Sequence, residues 1–483
     1  MKLQALLEGI EILEWHADPE LEVSGVGFDS RSIASGELFV AVTGFAADGH
    51  RFIPMAVKNG AAAVLCERAP AEDVPYVLTG STRKALALAA ANWYGHPADS
   101  MTMIGVTGTN GKTTVTYLLK AVLEKTLGAK VGLIGTIQNM IGDEVLPTER
   151  TTPESLELQK LFASMRDAGC THVVMEVSSH ALALSRVDGV RFKVGVFTNL
   201  TEDHLDFHKT MLAYCDAKAE LFRRCDIGVM NLDDLYCDRI RRQASCRIFT
   251  FSTKDNAADL VAKNIRLRPD RVETDVVTGN EISRAELGIP GAFSVYNALA
   301  VLGTGLALGI PLAELTAALR TAHGVKGRME VVPTPGRDYT VLIDYSHTPD
   351  SLENALTTVR GYCKGRVIAV FGCGGDRDPF KRPVMGEIAG RLADVSVVTS
   401  DNPRTEDPNA IIAQIVTGMK EAKRKPVVIE NRAEAIGWAL DHAQAGDVIL
   451  LCGKGHETYQ EVGHEKRHMD EREIVAEHLE KNA

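Results

Sequence analysis

Short apolar runs set off by turn-forming clusters recur along most of the chain, and their spacing predicts strands alternating with helices. Between residues 26 and 70 the runs "LFVAV" and "AAAVLC" are framed by "DSRSIASG" and "TGFAADGH", and they lead to an alanine-rich helical stretch from Thr82 to Tyr94. Apolar runs of this length, bounded by Gly, Asp and Ser, read as buried strands. The segment "YGHPAD", 94–99, combines Gly, Pro and Asp and predicts a linker. Beyond it "MTMIGV", "KVGLIG", "THVVMEV" and "VGVFTNL" alternate with helices starting at Lys112, running from Pro153 to Gly169, and containing "DAKAELF". Such alternation predicts a largely parallel sheet with helices on both faces. Residues 252–292 turn polar and predict irregular structure, and a helix follows from Ser294 to Leu308.

A third alternation begins after "KGRMEVV", with strands at "TVLIDY", "RVIAVFG", "VSVVTS", "PVVIE" and "DVILLCG", and it ends in a helix near 470–481. The pattern predicts an α/β protein of three domains: a small N-terminal α/β domain over 1–98, a central domain with a mostly parallel sheet over 99–330, and an open α/β domain over 331–483. A chain of 483 residues suits this division.

Composition changes the picture little. Hydrophobic residues make up 45% and charged residues 24%, ordinary globular values, and no window approaches the roughly 20 apolar residues of a membrane span. The start, "MKLQALLEGIEILEW", lacks a basic-then-apolar export signal, which predicts a cytoplasmic protein. Nine cysteines without a CxxC pair suggest neither zinc nor a disulfide framework. A net charge of −11 argues against nucleic-acid binding, so any phosphate site has to be built locally.

One segment builds such a site. In "IGVTGTNGKTTVTYLL" an apolar strand runs into a glycine-rich turn and a helix beginning near Lys112. Backbone N–H groups of Gly108, Thr109, Asn110 and Gly111 can converge on phosphate oxygens; Lys112 adds charge, and Thr113, followed by Thr114, can reach Mg²⁺. The strict pattern GxxxxGK[ST] would have Gly at Val106, so this is a variant spelling. Glu176 in "MEVSSH" and His204 in "NLTEDHLDFH" each follow a strand on the edge where such sheets hold ligands, and both are candidate Mg²⁺ ligands.

Together with "TGTNGKTT", the segments "MEVSSHAL", "TNLTEDHLDFH", "GRMEVV", "DYSHTPDSL", "GCGGDRD", "SDNPRTEDP" and "GKGHE" resemble the Mur ligases from about residue 25 to the C-terminus. The resemblance implies a UDP-substrate domain, a central P-loop-type ATPase and a C-terminal Rossmann-like domain, and an ATP-dependent amide synthesis through an acyl phosphate. It implies UDP-N-acetylmuramoyl-L-alanyl-D-glutamate and meso-diaminopimelate as substrates and ATP with two Mg²⁺ ions; the chain is expected to be a monomer, and its composition and charge predict no membrane or nucleic-acid partner. L-lysine as the incoming amino acid, or a folylpolyglutamate-synthetase-like ligase, are the alternatives.

By the same resemblance Asn297, Arg328 and Asp344 contact the nucleotide, and Lys381 reaches its phosphates. For Asn297 and Asp344, helix packing and strand-end capping are the ordinary alternatives. Phe28, Ser30 and the turn Phe45, Ala46, Ala47 match the uracil side; Thr151, Thr152, Ser178 and Arg186 match the pyrophosphate and sugar-peptide side. The chain departs from that pattern at Arg150 and Leu184, where Asn and Gln are expected. Lys218, whose ordinary fate on a helix is a solvated ammonium, matches a lysine that is carbamylated and binds a second Mg²⁺.

The turn "TSDNPRTEDP", 399–408, matches the amino-acid pocket, with Arg404 as a fork for the far carboxylate of diaminopimelate and Asp401 and Asn402 on the ammonium side around Pro403. Arg377, Gly453 and Glu457 belong to the same pocket by resemblance. An analogue lacking that carboxylate, such as lysine, is expected to leave Arg404 desolvated without a partner.

Overall fold

The strand Thr102–Thr107 is apolar along its length and almost wholly buried, because it pairs in parallel with His172–Glu176 on one side and Phe192–Phe197 on the other. A strand covered on both faces carries no alternation, which is why it reads as a continuous hydrophobic run. The computed structural model describes residues 1–481 apart from positions 45, 46, 149, 280, 323, 421 and 423. The chain divides into two units, residues 1–261 with 300–311, and 262–299 with 312–483.

In the first unit the strand order runs Arg247–Ser252, Cys225–Asn231, Phe192–Phe197, Thr102–Thr107, His172–Glu176, Val131–Ile134, then the antiparallel pair Asn139–Ile141 and Glu144–Leu146. Phe162, Phe192, Phe197 and Phe222 fill the core beneath this sheet. The N-terminal part forms its own five-stranded sheet, ordered Ile12–His16, Tyr76–Thr79, Ala63–Cys66, Leu38–Val40, Val26–Gly27, with only the first strand antiparallel. Its helix Thr82–Tyr94 starts on the Ser81 hydroxyl cap, stops at Gly95 with φ +68°, and packs against helix Ser155–Asp167.

The second unit contains a six-stranded sheet ordered Glu330–Val332, Thr340–Asp344, Val448–Cys452, Val367–Phe371, Val395–Val398, Val427–Val428, parallel except for its first strand. The turns "GGDRD", "DNPR" and "GKGHE" follow three neighbouring parallel strands, so they meet at one carboxyl edge. Among the described residues no helix is long and apolar enough to cross a membrane.

The expectation of irregular structure over 252–292 is corrected. Leu260–Leu267, Val272–Thr278 and Glu281–Leu287 are strands, the last two paired antiparallel from Val272 opposite Leu287 to Thr278 opposite Glu281. The charges that make the segment look like loop are paired with one another: Glu273 accepts from Arg271, two residues before it, at 3.0 Å and from Arg284 on the partner strand at 2.6 Å.

Beneath the edge of the second sheet Arg432 and Glu471 form an ion pair at 2.8 Å, both side chains 0% exposed, and Arg432 also donates to the Cys452 carbonyl at 2.7 Å. Arg432→Met is expected to destabilise the unit by roughly 3–5 kcal/mol, because it strands a buried carboxylate, whereas Arg432→Met with Glu471→Leu should recover most of that loss. Urea unfolding of the single and double variants measures both.

Candidate functional site

The turn after Thr107 is shaped by its glycines. Gly108 has φ +150°, and a Cβ there would lie 1.9 Å from the Thr198 hydroxyl oxygen; Gly111, at φ +85°, caps the helix Lys112–Leu127. The loop is tied to the next strand end: the Thr109 amide donates to the Asn199 carbonyl at 2.9 Å, the Asn110 amide to Asn199 Oδ1 at 2.9 Å, and the Thr198 hydroxyl to the Asn110 carbonyl at 2.6 Å. Thr113 and Thr114 stand in the first turn of the helix.

Two lysine amines meet at this turn. Lys112 Nζ donates to the carbonyls of Gly108 at 3.0 Å and Thr109 at 2.8 Å, and Lys218 Nζ donates to the same Gly108 carbonyl at 2.8 Å. Lys218 is therefore no solvated ammonium: it is 1% exposed and lies 4.5 Å from the centre of the Tyr214 ring. Helix Met211–Ala219 carries both residues one turn apart and turns that face inward. Burial, and then the neighbouring Lys112 charge, hold the Lys218 amine well below the usual lysine range. Since the unfolded chain keeps that proton more tightly, the residue costs stability at neutral pH, and the cost fades as pH rises toward about 10.4.

Glu176 is buried beside Val106, and its carboxylate accepts from the Thr136 amide at 2.9 Å and the Thr136 hydroxyl at 3.1 Å. Thr151 joins it through the Thr136 hydroxyl at 3.0 Å, and Thr152 donates to the Glu176 carbonyl at 2.9 Å and receives the Ser178 amide at 3.1 Å. Thr151, Thr152, Ser178 and Glu176 are thus brought together. His204 sits at φ +54°, its ring 4.9 Å from His180 and 6.0 Å from Tyr214. Burial, with His180 and Lys218 nearby, pushes His208 down to about 4, so it is neutral at pH 7 and faces the Ser179 hydroxyl at 2.9 Å.

Among the described residues no three His, Cys, Asp or Glu side chains form a ready metal cage. The residues present still suit Mg²⁺ bound jointly with phosphate, since that ion takes one or two carboxylates and completes its shell with phosphate oxygens and water. The amines gathered on the Gly108 carbonyl ask for an anion at the same place.

On the uracil side Phe28 packs against the N-terminal core and Ser30 is buried, while Ala47 is exposed with its carbonyl accepting from Gly44 at 2.9 Å. Phe45 and Ala46 lie outside the described residues.

In the second unit Asp344 is buried at a strand end, where it accepts from the Met329 amide at 2.9 Å and from the Ser346 hydroxyl; burial raises its pKa. Arg328 stands 5.3 Å from the Tyr345 ring centre, and Asn297 is buried on helix Ala292–Ala307. Lys381 opens helix Lys381–Leu392 and donates to the His347 carbonyl at 2.8 Å.

Around Arg404 the structure corrects one expectation. The guanidinium is already partnered: Nε donates to Glu461 at 3.0 Å and Nη1 to the Gly375 carbonyl at 2.8 Å, so a missing substrate carboxylate does not leave it bare. Asn402 is also occupied. Its Oδ1 accepts from Lys454 Nζ at 2.6 Å and the Glu461 amide at 2.9 Å, while its Nδ2 donates to Glu457 at 3.0 Å. Gly453, at φ +112°, leaves room for Asp401, whose oxygen would lie 2.4 Å from a Cβ there, and Pro403 carries the carbonyl that Gly375 approaches closely. Arg377 stays exposed and donates to the Asp376 carbonyl at 3.3 Å.

Three family models match in order: "Mur ligase family, catalytic domain" over 22–102, "Mur ligase middle domain" over 106–305, and "Mur ligase, glutamate ligase domain" over 327–455. The chain belongs to the Mur ligase family. It is 49% identical over 482 residues, 99% of each chain, to a UDP-N-acetylmuramoyl-L-alanyl-D-glutamate--2,6-diaminopimelate ligase from Caldanaerobacter subterraneus subsp. tengcongensis, and 45% identical over 99% of each chain to the protein of that name from Clostridium botulinum. A solved structure of a ligase of that name aligns with a TM-score of 0.78 at 31% identity, covering 100% of this chain and 99% of that one. This protein is accordingly a three-domain α/β enzyme of the ATP-dependent, amide-forming ligase type.

Tyr214, Lys454 and Glu461 also shape these sites, and the sequence motifs assign none of them a role. The i, i+4 spacing of Tyr214 and Lys218 was a visible signal; Glu461 lies on the hairpin Tyr459–Val462 and Glu465–His468, which no apolar run announces. Gly108→Ala is expected to abolish tight ATP binding, while Gly128→Ala, at φ +61° with nothing within 4 Å of its Cβ, should cost only roughly 1 kcal/mol of stability. Fluorescent-nucleotide titration and thermal melts of the two variants make the comparison.

Proposed function

We propose that this ligase joins meso-2,6-diaminopimelate to the D-glutamate carboxylate of UDP-N-acetylmuramoyl-L-alanyl-D-glutamate, in the cytoplasmic stage of peptidoglycan precursor synthesis, acting as a monomer. The observation that carries the reading is the end-to-end similarity to ligases of that name. The far carboxylate of diaminopimelate is assigned to Arg404, whose guanidinium is already held by Glu461 and the Gly375 carbonyl.

In the proposed reaction the glutamate carboxylate attacks the γ-phosphate of ATP, ADP leaves, and the amine of diaminopimelate displaces phosphate from the acyl phosphate. The loop from Gly108 to Thr114 holds the phosphates, and Lys112 offsets charge as it moves onto the leaving oxygen. Asn297, Arg328 and Asp344 are assigned to the nucleotide, Lys381 to its phosphates, and Phe28, Ser30, Phe45, Ala46, Ala47, Thr151, Thr152, Ser178 and Arg186 to the UDP-linked substrate. Arg377, Asp401, Asn402, Pro403, Arg404, Gly453 and Glu457 are assigned to the amino acid. Divisions near 98 and 330 would separate these three tasks.

Thr113, Glu176 and His204 are the proposed Mg²⁺ ligands, and a bound ion would neutralise phosphate charge there. Lys218 fits a second anionic ligand, because only a neutral amine takes up CO₂. Its nitrogen would bond the carbon and release a proton to water, leaving an anionic carbamate in place of the amine.

Phosphate release with the UDP-dipeptide and ATP should require meso-diaminopimelate and be at least about 100-fold less efficient in kcat/KM with L-lysine, and Arg404→Lys should erase most of that preference. Equal rates with the two amino acids would refute the assignment. Lys218→Ala is expected to lose activity by more than about 100-fold, with partial rescue by added short carboxylic acids, and wild-type protein in ¹³C-bicarbonate should show a carbamate resonance that the variant lacks.

A further inference from the structure

Three guanidinium groups converge on one carboxylate at the start of helix Ser155–Asp167. Glu154 Oε1 lies 2.7 Å from Arg186 and 3.1 Å from Arg150, and Glu154 Oε2 lies 3.6 Å from Arg83. Glu157, which accepts from the Glu154 amide at 3.1 Å, brings a second carboxylate, so three cations face two anions beside a helix N-terminus. The cluster is not a surface pair: Arg186, Glu154 and Arg83 are 13%, 12% and 19% exposed, and Arg186 Nε is buried without a hydrogen-bond partner among the described residues. Partly buried positive charge in excess of its counter-charge is costly unless an anion completes it.

The position of the cluster says which anion. Arg83 Nε donates at 3.0 Å to the carbonyl of Thr43, next to the turn assigned to the uracil end. Arg186 Nη1 donates at 3.0 Å to the carbonyl of Thr152, itself one of the residues assigned to the pyrophosphate and sugar-peptide side. A nucleotide diphosphate sugar laid between those two ends carries its two negative charges in between. Guanidinium forks suit phosphate oxygens better than a point charge does. Arg150, 53% exposed, keeps a free approach from solvent.

We propose that Arg83 and Arg150, held in place by Glu154, join Arg186 as a clamp on the diphosphate of the UDP-linked substrate. This rests on the substrate reading above. Glu154 is the positioning residue: it keeps the three side chains converged and shares them with the diphosphate when it binds.

The test uses the full-length enzyme with Arg150→Ala and Arg83→Ala, measuring KM for each substrate and competition by UDP and by uridine. Each variant is expected to raise the KM for the UDP-dipeptide by about tenfold, with the KM values for ATP and the amino acid unchanged. Inhibition by UDP should weaken by a similar factor and inhibition by uridine should not, and the salt dependence of UDP binding should become shallower. Unchanged UDP inhibition in both folded variants overturns the clamp, as does a loss of kcat and melting temperature without a selective KM change, which marks a purely structural role. Should Arg83→Ala fail to fold, the more exposed Arg150 carries the test alone. Wild-type enzyme that binds neither UDP nor the UDP-dipeptide would sink the substrate reading itself, a result distinct from the failure of the clamp.

Discussion

One backbone carbonyl organises the first unit. Gly108 O receives both Lys112 and Lys218, one from the helix that follows the loop and one from a helix more than a hundred residues later. Like charges share a buried spot only at a cost, and burial together with the Lys112 charge lowers the proton affinity of the Lys218 amine. The same carbonyl is available only because Gly108 lets the chain pass Thr198 at a distance no side chain would allow. The meeting of the two lysine amines descends from that one tight passage.

The second unit solves a different problem, that of presenting an arginine without letting it wander. Arg404 is held from one side by Glu461 and from the other by a loop carbonyl, and Asn402 is locked by Lys454 and Glu457. Arg404 and Asn402 are thus held by partners within the protein itself, which favours a preorganised loop. The buried Arg432–Glu471 pair underneath steadies the Cys452 strand end from which the pocket grows.

Much of this was legible in the chain. The glycine-rich loop before Lys112, the strands that flank it and the three turns at the edge of the second sheet are local signals, carried by glycines, an adjacent lysine and apolar runs. The hairpin within 252–292 was not legible, because its charged residues look like loop until Glu273 is seen between Arg271 and Arg284. Nor was the state of Lys218: nothing in "DAKAELF" tells which face of the helix is buried against the turn at Gly108. Arg404 was visible, but its partner Glu461 lies in a weakly patterned hairpin.

By itself, then, the sequence determined the α/β alternation, the order of the motifs and the chemical types available, since these depend on neighbours within a few residues. Only the tertiary structure decided which charges are buried, which are paired and which remain in excess. Those outcomes depend on side chains far apart in sequence, such as Arg83 with Glu154 and Lys218 with Gly108, whose meeting is set by how sheets and helices pack. Charge in a low-dielectric interior is governed by such meetings and not by the residue alone.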